Sequence, residues 1–387
     1  MKVTLRNPDR VEEVAGPATV RRVLAELELN PETVLVIHDG ELVTKDHELP
    51  DEAEIEIRPV ISGGAGPARC HRCRGPAVIE VPRHRAAYCA EHFVDHVRTQ
   101  VRRAIDEHRM CSYDDAILVA VSGGKDSLAL WDILLDMGYR VDGLYLGLGI
   151  GGYSSRSEQV VRDFAAHRGA RLRTHDLADD FGFDIPATRQ DKGRSTCGVC
   201  GLSKRYVFNR VALEAGYDVM ATGHNLDDEA ATLLANVLRW QTPYLARQAV
   251  CQPASDSLAK KVKPLYRLGE REMAAYCVIK GLDYVVEECP LVGGNTVLRY
   301  KDALNEIEAH SPGTKAQFLY GFLDRVRADH FAGADREHGS VVPCEECGMP
   351  TTTRAAGDAG RAPAAVCAFC RTRGRMLTIV ERAGQSA

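Results

Sequence analysis

The chain has 387 residues, 45% hydrophobic and 27% charged, so it is long enough for two or three domains and ordinary for a globular protein. No apolar run approaches a membrane span and MKVTLRNPDR is not patterned as a signal peptide, so a soluble, cytoplasmic protein with no membrane partner is expected. The net charge is −5, yet residues 1–62 hold 7 Lys/Arg against 14 Asp/Glu and the remainder nets about +2; a globally basic nucleic-acid binder is excluded, a local basic face is not.

Residues 1–62 predict a small β-grasp module. Val3–Leu5 and Val11–Val14 read as a hairpin, Thr19 to Leu29 as an amphipathic helix capped by Thr19, and Val34–Ile37 and Ile55–Ile57 as strands, with Asp39-Gly40 as a turn. A glycine-rich stretch, 63–69, follows. Residues 70–94 place Cys70-x-x-Cys73 ahead of Cys89-x-x-His92, a four-donor set spaced for tetrahedral zinc. Arg98, Arg102 and Arg103 fall on the helix expected after it.

Residues 95–335 alternate strands with helices, which predicts a parallel, doubly wound α/β sheet with its ligand at the carboxyl ends of the strands. The apolar run Ile117–Val121 leads into Ser122-Gly123-Gly124-Lys125-Asp126-Ser127 and then a helical stretch to Met137. Such a turn aims backbone N–H groups and a positive helix end at one spot, and two glycines let an anion approach the backbone. Lys125 adds a cation, and Ser122 and Ser127 add hydroxyls. The spacing is not that of a Walker A loop. Further strands are expected at Val141–Gly147, Arg171–His175 and Val219–Gly223, with a glycine-rich loop over 148–154 and a helix from Ser157.

Cys197 and Cys200 precede a predicted helix whose dipole should lower a thiol pKa, and Cys289 closes a strand-like run before Pro290. As a pair, Cys197 and Cys200 read either as metal ligands or as redox thiols that carry a persulfide. Cys111, Cys251 and Cys277 have no pairing pattern. Arg239, Arg247, Lys260, Lys261, Lys263 and Arg267 cluster after Asp228, as a solvated face or as phosphate contacts. Residues 340–382 carry Cys344-x-x-Cys347 and Cys367-x-x-Cys370, a second zinc pattern, with a tail after Thr378 expected to fray.

The SGGKDS loop resembles the PP-loop of ATP pyrophosphatases, which adenylate an oxygen and release pyrophosphate. The N-terminal module, ending Ser62-Gly63-Gly64, resembles ubiquitin-like sulfur carriers of the ThiS, MoaD and TtuB kind, whose terminal Gly-Gly becomes a thiocarboxylate. Here Gly63-Gly64 is internal, followed by Ala65-Gly66-Pro67, so a flexible linker is an equal reading. From Cys70 to Cys370 the chain resembles the tRNA 2-thiolation enzymes of the TtuA, TtcA and Ncs/Ctu group. The resemblance is carried by two flanking zinc sets, SGGKDS, Cys197-Gly-Val-Cys200 followed by Ser-Lys204-Arg-Tyr, Thr222-Gly223-His224-Asn-Leu-Asp227-Asp228-Glu229, and Cys289; the zinc sets point to the TtuA type. It implies that residues 122–127 and Gly223 bind ATP with Mg2+, that Cys197, Cys200 and Cys289 hold a 4Fe–4S cluster, and that Lys204 and Asp228 are catalytic. It implies partners as well: tRNA, a sulfur carrier with its E1-like activating enzyme, and a second copy in a homodimer. The implied reaction is 2-thiolation of a tRNA uridine, in the T-loop by preference. A wobble-uridine or cytidine thiolase using a persulfide, and a non-catalytic zinc-ribbon adaptor, are the alternatives; the intact SGGKDS loop argues against the adaptor.

Overall fold

The computed structural model describes all residues except 7–9, 30, 32–33, 60–68, 256, 293–295, 332–340, 353–364 and 385–387. In the N-terminal module the hairpin forms as read: Lys2–Leu5 pairs antiparallel with Arg10–Glu13, and pairs parallel with Glu54–Pro59 on its other side. Val34–His38 and Glu41–Val43 complete a five-stranded sheet. The helix is shorter than its apolar pattern, Val20–Glu26, because Glu28 turns left-handed at φ 53° and Leu29 N–H bonds back to Leu24. Thr19 caps it, its hydroxyl accepting from Arg22 N–H at 3.4 Å.

Alternation along Val34–His38 sorts its side chains to two different cores. Val34 and Val36 join Val3, Leu5, Ile55 and Ile57 inside the module. Leu35 and Ile37, with Leu42, face the other way and join the large core that includes Met273 to Cys277 of the helix Glu270–Lys280. Apolar residues on both faces of a strand are what a covered sheet requires.

The central sheet has six strands in the order Leu172–Asp176, Arg140–Gly147, Ala116–Val121, Val219–Thr222, Lys260–Val262, Cys251–Gln252. All neighbours run parallel except the last pair. The expected four strands are present in doubly wound order; the two at the far edge were not expected, because Lys260-Lys-Val reads as a charge run. The helix expected from Ser157 begins earlier, at Gly151, where the Ser154 hydroxyl accepts from Ile150 N–H at 2.9 Å and closes the first turn. No strand forms ahead of Cys289; that segment is irregular, and its Val285 N–H bonds to Gly123 O at 2.9 Å instead of to a sheet neighbour.

Each zinc pattern accompanies a hairpin followed by a helix, with Cys70 and Cys73 ahead of their hairpin, between the bridged Arg69 and Pro76, and Cys344 and Cys347 between the two strands of theirs. Ile79–Val81 and Ala86–Tyr88 lead into Ala90–His108; Val341–Pro343 and Pro350–Thr352 lead to Ala368–Gly384. The last helix does not fray at Thr378. It packs on Thr196–Glu214 through Phe369, stacked on Tyr206 with ring centroids 3.8 Å apart, and Met376 is fully buried. Among the described residues no helix is long and apolar enough to cross a membrane.

Candidate functional site

The loop Ser122–Ser127 sits at the carboxyl end of the central strand and is locked from within. Ser122 N–H donates to Ser127 Oγ at 3.1 Å, and that hydroxyl donates to Gly124 O at 2.9 Å. Gly123 adopts φ +81°, and a Cβ there would lie 2.9 Å from Ser157 O. Gly223 crosses the loop from the next strand so closely that a Cβ would meet Asp126 C and Ser127 N, both at 2.9 Å. Glycine at both positions is a steric demand of the crossing. Asn225 ties the two strand ends together: its amide donates to Asp126 Oδ1 at 3.1 Å while it caps the helix Leu226–Leu238 in a reciprocal box with Asp228.

These elements line a cavity of about 370 Å³, with Ser122, Gly124, Asp126 and Ser127 on one wall and Lys204, Gly223, His224 and Asp228 on another. That volume suits a nucleotide-sized ligand. Tyr145, Tyr153 and Phe208 supply flat walls. His224 sits at the rim, its Nδ1 2.9 Å from Thr222 Oγ1.

Lys125 does not enter the cavity. Its ammonium lies 2.7 Å from Glu270 and 3.1 Å from Asp126. Lys301, which no motif in the sequence marks, lies 2.7 Å from Asp228 and 3.1 Å from the other oxygen of Glu270. The charges therefore alternate along one chain, Asp126–Lys125–Glu270–Lys301–Asp228. Burial pushes the Asp126 carboxyl up to about 6, helped by Glu270 and Asp228 and opposed by Lys125. Burial also pushes Glu270 upward, but the two lysines outweigh it and hold that carboxyl down at about 2. Asp227 faces away, accepting from Glu270 N–H at 2.8 Å and from buried Lys315 at 2.5 Å. Of the two neighbours, Asp228 and not Asp227 lines the cavity, together with Asp126.

Both four-donor sets are assembled. In each, the four donor atoms lie within 4.8 Å of one another: Cys70, Cys73, Cys89 and His92 in the first, Cys344, Cys347, Cys367 and Cys370 in the second. His92 presents Nδ1, 3.1 Å from Cys89 Sγ and 3.7 Å from Cys70 Sγ. Burial would raise the Cys70 thiol, yet backbone N–H groups of Cys73, Cys89 and Arg72 bring it to about 6. Cys344 behaves alike, brought to about 7 against burial by N–H groups that include Cys367 at 3.2 Å. N–H groups aimed at sulfur favour thiolate, the form a metal binds.

Cys197, Cys200 and Cys289 are arranged differently. Cys197 and Cys200 lie inside the first turns of Thr196–Glu214, after the N-cap Ser195, not ahead of it. Cys289 packs in the same apolar cluster as Cys200, and Cys200 feels the charge of both other thiols. The three sulfurs do not lie mutually within 4.8 Å as the zinc-type sets do. The thiol-lowering expected of the helix start is not met at Cys200: burial raises that thiol, and Lys204 one turn on only partly offsets it.

Of the basic residues, several are engaged internally. Lys263 is 2.8 Å from buried Glu229, Arg267 is 2.7 Å from Glu107, Arg98 is 2.6 Å from Asp136, and Arg103 is 2.7 Å from Glu107. Lys260 donates to Arg109 O, Arg239 lies over the Tyr300 ring, and Arg102 is exposed. Gly63 and Gly64 fall outside the described residues.

Residues 94–291 match the PP-loop domain family, residues 69–94 the N-terminal LIM domain of the 2-thiouridine synthetase TtuA, and residues 3–64 the ThiS family. The chain is 46% identical over 302 residues to a tRNA-5-methyluridine(54) 2-sulfurtransferase of Thermus thermophilus, covering 78% of this chain and 90% of that one. It is 39% identical to the protein of that name from Pyrococcus horikoshii, covering 78% of this chain and 93% of the other. The structure of a U34-tRNA thiolase, NcsA, from Methanococcus maripaludis with its [4Fe-4S] cluster shares the fold, with a TM-score of 0.62 at 23% identity over 68% of this chain and 90% of that one.

Proposed function

Because the chain belongs to the PP-loop family of tRNA 2-sulfurtransferases, we propose that it replaces the C2 oxygen of a tRNA uridine with sulfur at the expense of ATP. The T-loop uridine is the favoured target, since the relatives at 46% and 39% identity are named for position 54. The observation that carries the reading is the single cavity lined by the glycine loop, Lys204 and Asp228, with Lys204 one helical turn from Cys200.

The reaction divides into two displacements. The uridine O2 bonds to the α-phosphorus of ATP and the bond to the β-phosphate oxygen breaks, releasing pyrophosphate. A sulfur nucleophile then bonds to C2, and the C2–O bond breaks as AMP leaves. Gly124, the helix end behind it and the Ser122 and Ser127 hydroxyls line the cavity and take the phosphates, with Gly123 giving the loop its turn. Asp126 and Asp228 offer the hard oxygens that Mg2+ takes together with phosphate. Lys125, pinned by Glu270, keeps Asp126 oriented and does not itself touch phosphate. Lys204 projects into the cavity and steadies negative charge on the adenylated oxygen as it departs.

The thiol sets fit two kinds of metal group. Both four-donor sets fit zinc by donor type and by closeness. Cys197, Cys200 and Cys289 fit a 4Fe–4S cluster: three thiols, wider apart than a single ion allows, beside the cavity. Such a cluster supplies a Lewis-acidic iron with one open position. The ThiS-like module suggests sulfur from a thiocarboxylate. At Gly64 that needs a cut before Ala65 and an E1-like enzyme to adenylate the new terminus; otherwise a separate carrier donates and the fused module only docks.

Anaerobic protein, ATP, unmodified tRNA and a thiocarboxylate or sulfide donor, analysed by nucleoside mass spectrometry, test this. The expected product is 2-thiouridine at position 54, dependent on ATP. Product at position 34 alone would transfer the chain to the wobble activity, and AMP release with no thionucleoside on any tRNA would overturn the reading.

A further inference from the structure

The helix Leu226–Leu238 ends in an exposed stretch that core packing does not explain. Leu238, Trp240 and Tyr244 are 62%, 73% and 59% exposed, the three most exposed large apolar side chains among the described residues. Trp240 is held left-handed at φ 47°, a conformation that bulky side chains rarely adopt, with Gln241 N–H bonded back to Asn236. The Arg247 guanidinium lies 5.5 Å from the Tyr244 ring centre. Between Leu238 and Leu265 the sequence has five basic residues and a single acidic one, Asp256.

Two cations border this stretch toward the cysteines. Arg205 follows Lys204 on Thr196–Glu214 and folds back over Gly201, where a Cβ would lie 3.2 Å from its Nη1. Lys261 stands on the edge pair of the sheet, opposite Gln252, whose amide donates to Arg247 O. Among the described residues neither Arg205 nor Lys261 has an ion pair or a side-chain hydrogen bond. Burial, then repulsion from Arg194, lowers Arg205; burial, then Arg205, lowers Lys261. Arg205 is exposed and Lys261 half-buried, and two neighbouring cations that meet no carboxylate can take an anion without breaking an internal pair.

Resting on the tRNA reading above, we propose that this surface grips a single-stranded stretch of tRNA beside the target uridine, with bases stacked on Trp240 and Tyr244 and phosphates at Arg205 and Lys261. Aromatic faces interleaved with arginines are the chemistry that binds unpaired nucleotides, and a folded tRNA must splay its strand to bring a loop base into a cavity. The position is suited to that task. Lys204, on the cavity wall, and Arg205, in the grip, are adjacent residues, so a strand held by Arg205 has its neighbouring nucleotide at the cavity.

The test uses full-length protein and unmodified tRNA. The chain has two tryptophans, and Trp131 is fully buried, so fluorescence quenching by bound tRNA reports on Trp240. Quenching in the native protein and its loss in Trp240→Phe are expected. Anisotropy titrations should show Trp240→Ala and Tyr244→Ala weakening binding roughly 5- to 100-fold each, with Tyr244→Phe close to native. Arg205→Ala with Lys261→Ala should lower the salt slope of binding by about 2. If native protein binds and thiolates tRNA while all these variants bind with native affinity and slope, the grip is wrong and the tRNA reading stands; a protein-docking role for the patch would give that result. If native protein with intact metal content neither binds nor thiolates tRNA, the functional reading falls and the grip with it.

Discussion

The two four-donor sets and the three-cysteine set use the same side chain in opposite ways. Cys70 and Cys73 come from the turn between Arg69 and Pro76, and Cys89 and His92 from the helix start further on, and local N–H groups already favour thiolate at Cys70. Cys197 and Cys200 come from a helix start and Cys289 from a distant irregular segment, and burial disfavours thiolate at Cys200. The first arrangement is complete in itself and is built to hold its neighbourhood together. The second exists only when the whole α/β core is folded, beside a cavity and wider than one ion needs. The segment that ends in Cys289 also bonds to Gly123 O through Val285, so the phosphate loop and the third thiol share one strut. On the proposed function, the four-donor sets serve structure and the three-cysteine set serves chemistry.

The largest effects should come from the local sets. Cys70→Ala or Cys344→Ala should lose one equivalent of zinc and destabilise the protein by several kcal/mol, since a structural zinc is worth on the order of 10 kcal/mol to a small module. Metal analysis with thermal unfolding checks this, and native zinc content in both variants would erase the contrast. Next, Cys197→Ala, Cys200→Ala and Cys289→Ala should each abolish the 4Fe–4S absorption of anaerobic protein yet keep both zincs and stay within about 1–2 kcal/mol of native stability. Full iron and sulfide in all three would turn attention to a persulfide on Cys197 or Cys200.

Lys204→Ala and Asp228→Ala should retain fold, zinc and cluster while thiolation falls about 10²- to 10⁴-fold, a loss of the size that follows removal of one charged catalytic group. Asp126→Ala should in addition lose ATP turnover, measured as pyrophosphate release. Native rates in any of them would remove that residue from the mechanism. The smallest effect is electrostatic. Glu270 is held at about 2 by Lys125 and Lys301, below the ordinary value near 4.3, so its stabilising share is present above that ordinary value and is lost as pH falls toward 2. Urea midpoints for native protein should drop across that window more steeply than for Glu270→Gln; parallel curves would mean the lysines do not set its charge.

How much of this was legible follows the same division. The glycine loop, both four-donor sets and the first four strands of the central sheet stand in short stretches of sequence, because each is set by neighbours a few residues apart. The partners of the loop do not. Lys301 lies on Thr296–His310, in a helix with no motif, and only the acidic run Asp227–Glu229 hinted that buried counter-charges were needed. Lys263 and Arg267 read as part of a solvated face or as phosphate contacts and are ion-paired to Glu229 and Glu107, since a cation that pairs inward and one that faces water are spelled alike. Trp240 was missed because a lone exposed tryptophan has no periodic signature; its left-handed backbone shows only in three dimensions.

Leu35, Ile37 and Leu42, the outward face of the N-terminal sheet, also bear on how the molecule is made. Synthesis runs from the N-terminus, so the module can close its own small core as soon as Pro59 has emerged, but the helix that covers its outer face ends only at Lys280. At ordinary ribosomal rates the roughly 220 residues between them take on the order of 10 to 45 s. For that interval the nascent chain presents a folded unit with an apolar flank, a surface of the kind chaperones hold. Docking of that helix then retires the flank, which makes the first-folded part of the chain the one whose surface is finished late.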